Sequence, residues 1–266
     1  MASCFRSIAL CAALALCGPA TADSRLSVDL ELVIAVDVSA SMDAEEFALQ
    51  RDGYVAAIRH PEFIGAVLSG AERRIVLTYV EWSGADFQSV RMPWRVIDSP
   101  EAAIAFADDL AAQPLEISRG TSISGALLFS LDLLERNGFN GLRRVIDVSG
   151  DGPNNYGATV TIARDVAVSR GVTINGLPIL IRPSPIYPDM DRYYADCVIG
   201  GFGAFLLPIR STEEFALAIR RKLVLEVAGG VQRDARIIPV ATREPADCLA
   251  GERARSRYAE PYLPGL

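Results

Sequence analysis

Residues 33–42 read VIAVDVSASM. Apolar, mostly β-branched residues run into the carboxylate of Asp37, and hydroxyls follow two and four positions later, at Ser39 and Ser41. One reading is a buried strand ending in a turn that caps the next helix. The other is a strand ending in a set of oxygen donors for a hard metal ion. Working outward, DLELVIAVDVS reads as a buried strand, and Asp43 to Arg59 as a helix that Ser41 or Asp43 could cap. RRIVLTYVEWSG is a second strand and WRVI a short third one. SPEAAIAFADDLAAQ opens with Ser99 as N-cap and Pro100 at the first helical position. SISGALLFSLDLLERNG is a longer amphipathic helix that stops at Gly138. RRVIDVSGDG, VTINGLPIL and GAFLLPI supply strands four to six, with ATVTIARDVAVSRG and STEEFALAIRRKLVLEVAGG as helices. Alternation of strands and helices from about residue 28 to 228 predicts an α/β fold. The sheet is expected to be doubly wound, six-stranded and mainly parallel, with helices on both faces. The second and third strands have no helix between them, so one antiparallel edge strand is expected.

In doubly wound sheets, ligands bind beyond the carboxyl ends of the strands. Three segments reach that end with oxygen chemistry. They are Asp37, Ser39 and Ser41 after the first strand, Thr121 in SRGTSISGAL just before a helix, and Asp151 in DVSGDGPNN just after a strand. Hydroxyl, carboxylate and water ligands suit magnesium, manganese or calcium rather than zinc or copper. Taken singly each has a plainer reading: a helix cap for Asp37–Ser41 and for Thr121–Ser122, a turn for Asp151–Gly152. Asp37 fits poorly as a core residue, because burying an unpaired carboxylate costs several kcal/mol.

DVSASM matches the D-x-S-x-S signature of the von Willebrand factor type A domain, GTSISGAL resembles that family's second loop, and VSGDGPNN its third. The three occur in order, 84 residues from Asp37 to Thr121 and 30 more to Asp151. The resemblance implies a metal-ion-dependent adhesion site with Asp37, Ser39, Ser41, Thr121 and Asp151 at its five positions. It further implies Ser39, Ser41 and Thr121 as direct ligands of one divalent cation, Mg2+ or Mn2+, with Ca2+ as an alternative. QRDGYVAAIRHPE, TYVEWSG, VIDVSGDGPNN and YYADCVIGGFGAF also resemble a family of secreted bacterial proteins built on this domain. The chain departs from the general pattern at PNN after Gly152, around Cys197, and in the tail to Leu266.

The N-terminus carries Arg6, an apolar run from Ile8 to Cys17, and Ala20-Thr21-Ala22. This reads as a signal peptide over residues 1–22, hence export to the periplasm or beyond. The run is too short for a membrane span, and no later stretch reads as an anchor. A domain over residues 28–228 and a C-terminal extension over 229–266 are expected. Cys197 and Cys248 are the cysteines left after cleavage, and an even count in an exported chain favours one disulfide over two free thiols. Acidic residues exceed Lys+Arg, 33 to 26, which disfavours nucleic acid as a partner. Lys222 is the only lysine. Trp82 and Trp94 flank the hairpin and read as packing residues. Tyr187, Tyr193 and Tyr194 read either as part of a surface loop or as a contact surface.

The expected function is recognition of a protein partner through the cation, with an acidic side chain of the partner completing the metal shell. The alternatives are a metal-dependent phosphotransferase or hydrolase, and a structural module whose metal only stabilises the fold. The enzyme reading is weak. His60, the only histidine, lies at the far end of the layer from the strand-end site, and no G-x-S-x-G or G-x-x-x-x-G-K-[ST] motif occurs. Ser39 also stands where a phosphotransferase of the haloacid dehalogenase type places its second carboxylate. Oligomeric state is not legible.

Overall fold

In the computed structural model the strand that ends in Asp37 is the centre of the sheet. Residues 25–42, 44–229 and 244–259 are described; the expected signal segment 1–22 and the alternative helix cap Asp43 lie outside them. The elements run β1 (Leu26–Val28), β2 (Leu30–Asp37), α1 (Ala44–Arg59), α2 (Pro61–Leu68), β3 (Ile75–Trp82), β4 (Gln88–Ile97), α3 (Pro100–Ala111), α4 (Ile123–Glu135), β5 (Phe139–Gly141), β6 (Arg144–Gly150), α5 (Val160–Ser169), β7 (Thr173–Pro178), α6 (Met190–Tyr193), α7 (Phe215–Ala228) and α8 (Ala250–Ala259). A π-turn, Tyr194–Val198, continues α6, and a 3-10 turn, Thr212–Glu214, leads into α7.

The main sheet has the order β4-β3-β2-β6-β7, parallel except for the antiparallel pair β3–β4. It has five strands rather than the expected six. GAFLLPI runs beside β7 but forms only isolated bridges, Gly176 with Leu206 and Ile179 with Ile209. Pro208 lacks an N–H, and the glycines before it lack side chains to pack, so the segment bonds β7 intermittently instead of forming a ladder. The edge strand β4 is longer than WRVI and starts at Gln88. Besides α8, two elements were not expected. One is α2, started by His60, whose ring accepts from the Glu62 N–H, and by Pro61. The other is a two-stranded parallel ribbon of β1 and β5.

The period-2 alternation of β2 sorts its side chains onto two faces. Leu30, Leu32, Ile34 and Val36 pack with α1, α2, α3 and α7, through Phe47, Tyr54, Phe63, Phe106, Phe215 and Ile219. Val33 and Ala35 pack on the other face with Trp82 and with Ile123, Leu127, Val160 and Ala163 of α4 and α5. Every β2 residue is buried, as a central strand covered by helices on both sides requires. Burial of each such large apolar side chain contributes roughly 1.5–3 kcal/mol.

The lone lysine has a structural place. Lys222 of α7 is fully buried and donates to Asp147 of β6 and Glu226 of its own helix. Asn175 of β7 also donates to Glu226, at 3.1 Å. Burial pushes the Glu226 carboxyl up to about 7. One cation and one shared proton therefore balance two carboxylates inside the sheet–helix interface.

Candidate functional site

Strands β2 and β6 are neighbours, but their connections leave in opposite directions across the sheet, so their carboxyl ends open a crevice. Asp37 is the last residue of β2 and is completely buried. Its Oδ1 accepts from the Ser39 N–H at 2.7 Å, which turns the chain back over the strand end. Ser39 Oγ lies 2.9 Å from Ser41 Oγ, and Ser41 Oγ donates to Asp151 Oδ1 at 2.7 Å. The hydroxyl of Ser41 thus spans from the first loop to the third. Among the described residues, Asp37 Oδ2 is buried without a hydrogen-bond partner.

The second loop is fastened to the first by backbone bonds. The Ala40 N–H donates to the Ser118 carbonyl and the Ser118 N–H to the Val38 carbonyl, at 2.8 and 3.0 Å. Ser122 caps α4 by accepting from the Gly125 N–H, so neighbouring Thr121 is left to face the third loop. A side chain placed on Gly152 would lie 3.7 Å from Thr121 Oγ1. The third loop is held by its two asparagines. Asn155 Oδ1 accepts from the Thr121 N–H at 2.9 Å, and Asn154 Oδ1 accepts from the Ser124 N–H at 3.0 Å. All five expected side chains therefore come to one place. Asp37, Ser39, Thr121 and Asp151 are buried and Ser41 is exposed.

Electrostatics sets the chemistry. Burial raises the Asp37 carboxyl well above its usual range, and the charge of Asp151 raises it further. Burial likewise raises Asp151, against the bond from Ser41. No arginine or lysine among the described residues hydrogen-bonds either carboxylate. Arg182 acts on Asp151 through space but its guanidinium is bonded to Glu46. No three His, Cys, Asp or Glu side chains cluster as a metal site among the described residues; the donors here are three hydroxyls and two carboxylates. That set, with one carboxylate oxygen left unpartnered, fits a small hard divalent cation. Above it opens a cleft of about 330 Å³, walled by Ser41, Thr121 and Asp151 on one side and by Arg182, Pro183, Pro185 and Ile186 on the other.

Several residues here were not singled out as site residues from the sequence. Asn154 and Asn155, part of a noted departure, are the clamp between loops. Tyr193 and Tyr194 are fully buried and so belong to neither a surface loop nor a contact face, while half-buried Tyr187 packs on Tyr193 at 5.5 Å between ring centroids. Trp82 is fully buried on the floor of the site, as its packing role predicts. Cys197 and Cys248 are joined in a disulfide. It ties the π-turn to the expected C-terminal extension, which carries α8. That helix sits on the third loop. Asn154 donates to Glu252 at 2.7 Å, and Arg255 stacks 3.7 Å from the Tyr156 ring centroid. Gly251 permits the approach, since a Cβ there would lie 2.1 Å from the Asn154 carbonyl oxygen. The signal that could have found these residues was the Tyr-Tyr pair close to one of two cysteines, Cys197 and Cys248, outside the N-terminal apolar segment.

Residues 27–231 match the model of a family described as protein of unknown function (DUF1194). No curated protein matches the sequence. Among solved structures, the chain is similar to proximal thread matrix protein 1 from the mussel byssus, with 14% identity and a TM-score of 0.55 over 77% of this chain and 48% of that one. The chain thus spans about half the length of that protein, which has also been solved with a zinc-occupied MIDAS motif. It is also similar to the vWF domain of the type V pili tip protein Mfa5 from Porphyromonas gingivalis, with 10% identity and a TM-score of 0.54 over 77% and 97% of the two chains. A third is the pilus adhesin SpaC from Lactobacillus rhamnosus GG, with 11% identity and a TM-score of 0.56 over 75% and 30%. The fold is that of a von Willebrand factor type A domain.

Proposed function

The chain belongs to the DUF1194 family, and from that starting point we propose that it is an exported binding module, not an enzyme, that recognises a protein partner through one divalent cation. The observation that carries this reading is the pair Asp37 and Asp151. Both carboxylates are buried, the charge of Asp151 raises the proton affinity of Asp37, no cation among the described residues bonds them, and three hydroxyls surround them. Ser39, Ser41 and Thr121 would hold the ion as neutral donors, with Asp37 and Asp151 supplying the charge directly or through bound water. An ion held mainly by neutral hydroxyls stays electron-poor and attracts an acidic side chain from a partner. Exposed Ser41 and the open cleft leave room for that approach. The zinc-occupied MIDAS motif of the mussel protein and the adhesin title of the pilus protein support the reading. Export rests on the Arg6-to-Ala22 pattern, and no described helix is long and apolar enough to cross a membrane.

The test is capture of partners from the native envelope fraction by the immobilised mature chain, in Mg2+ and in EDTA, beside Asp37→Ala. Capture that needs Mg2+ and is lost in Asp37→Ala supports the reading. Capture indifferent to EDTA contradicts it. A melting temperature raised by Mg2+ with no Mg2+-dependent capture favours the structural module instead.

A further inference from the structure

Behind the five family positions lies a sixth polar atom. Tyr194 Oη is fully buried and, among the described residues, has no hydrogen-bond partner; the same is true of Asp37 Oδ2. Both converge on Gly150, the last residue of β6. A Cβ on Gly150 would meet Asp37 Oδ2 at 2.9 Å, Tyr194 Oη at 3.0 Å and the Trp82 ring at 3.3 Å. The two oxygens are therefore no more than about 6 Å apart, close to the span of one water with two hydrogen bonds. Glycine is required here, because any side chain would fill the notch in which they face each other. A carboxylate oxygen accepts and a phenol donates, so these two orphans have complementary needs. Leaving both unmet would cost about 1–3 kcal/mol each.

Tyr194 is held in place from three directions. Its own carbonyl accepts from the Ile199 N–H five residues on, at 3.0 Å, the bond that defines the π-turn; such turns recur at functional sites. Its neighbour Tyr193 accepts from the Asn154 N–H at 3.2 Å and donates to the Cys248 carbonyl at 3.4 Å. The Cys197–Cys248 disulfide closes the collar.

We infer that Tyr194 is a positioning residue of the site, holding Asp37 through its Oδ2 by way of one water in the notch over Gly150. Its bearing on the cation rests on the function proposed above; its coupling to Asp37 does not. The hydroxyl fixes the face that Asp37 turns toward the ligand loops, as outer partners do for metal-bound carboxylates.

A double-mutant cycle of Tyr194→Phe and Asp37→Asn, melted in EDTA with the disulfide intact, tests the coupling without a metal. The expected result is a departure from additivity of about 2–4 °C in melting temperature, one hydrogen bond's worth in a domain of this size. Additive shifts overturn the inference, whatever the metal does. Tyr194→Phe keeps the ring, so a role in packing alone predicts no coupling. Mg2+ titration of the same variants adds the second readout. Tyr194→Phe should weaken binding about 10-fold, and equal affinity overturns the positioning role. If the wild type bound no ion while the cycle stayed coupled, the proposed function would fall and the Tyr194–Asp37 link would stand.

Discussion

The domain buries two pairs of carboxylates, Asp147 of β6 with Glu226 of α7, and Asp37 at the end of β2 with Asp151 just past β6, and surrounds them differently. Asp147 and Glu226 lie on the α7 face of the sheet, with Lys222 bonded to both. Asp37 and Asp151 lie at the strand ends, with hydroxyls and no bonded cation among the described residues. Both pairs carry a desolvation cost. The first is balanced permanently by the only lysine of the chain and a proton held by Glu226 up to about pH 7. Under the proposed function, the second is left to a counter-charge that can arrive and leave. A fold that wanted only stability at the strand ends could have placed an arginine there, as it does at Glu81, where Arg51 and Arg91 close a buried pair of salt bridges. Internal cation versus exchangeable cation is, on that proposal, the difference between scaffold and site.

Three changes break or sharpen this contrast. The largest effect belongs to Lys222→Met, which strands two buried acids and should cost about 3–5 kcal/mol in denaturant melts. Adding Asp147→Asn and Glu226→Gln should recover most of it. A melting temperature within ~2 °C of wild type would mean that the triad is not an ion cluster. Next is Cys197→Ser with Cys248→Ser, expected to cost about 2–4 kcal/mol by opening a loop of 51 residues. It should also weaken metal binding, because the collar holds Tyr193 and Tyr194 against the upper pair only; unchanged affinity would detach the collar from the site.

The third change is the pH dependence in EDTA. Glu226 has its folded pKa raised from 4.5 to about 7, so the folded state binds more protons across that window. Its contribution is complete below about pH 4.5 and is lost as pH rises to 7. Asp37 and Asp151 are raised in the same direction. Melting temperature in EDTA should therefore fall over this range. Glu226→Gln should remove one part of the slope and Asp37→Asn another. A slope unchanged in both variants would contradict the assignment.

The strand-end motifs were legible because each follows a strongly apolar strand or precedes a capped helix, which fixes where its side chains emerge. The sheet was legible for the same reason, except where apolar composition concealed Pro208 and the glycines of GGFGAFLLPI. Tyr194 was illegible because its insertion has no periodicity, and its role depends on a glycine in another strand. The helix α8 was hidden by a sequence, GERARSR, whose apolar contacts are few. Lys222 stood out by count, but only the fold pairs it with a carboxylate 75 residues away.

Calorimetric titration of Mg2+ and of Mn2+ into the EDTA-treated mature protein, beside Asp37→Ala and Ser39→Ala, tests the central claim most directly. The account predicts one binding event per chain, abolished in Asp37→Ala without loss of the fold by circular dichroism. Binding should be weakened less in Ser39→Ala, where water can replace a neutral donor. Equal affinity in wild type and Asp37→Ala, or no binding of either ion to the folded wild type, would contradict it.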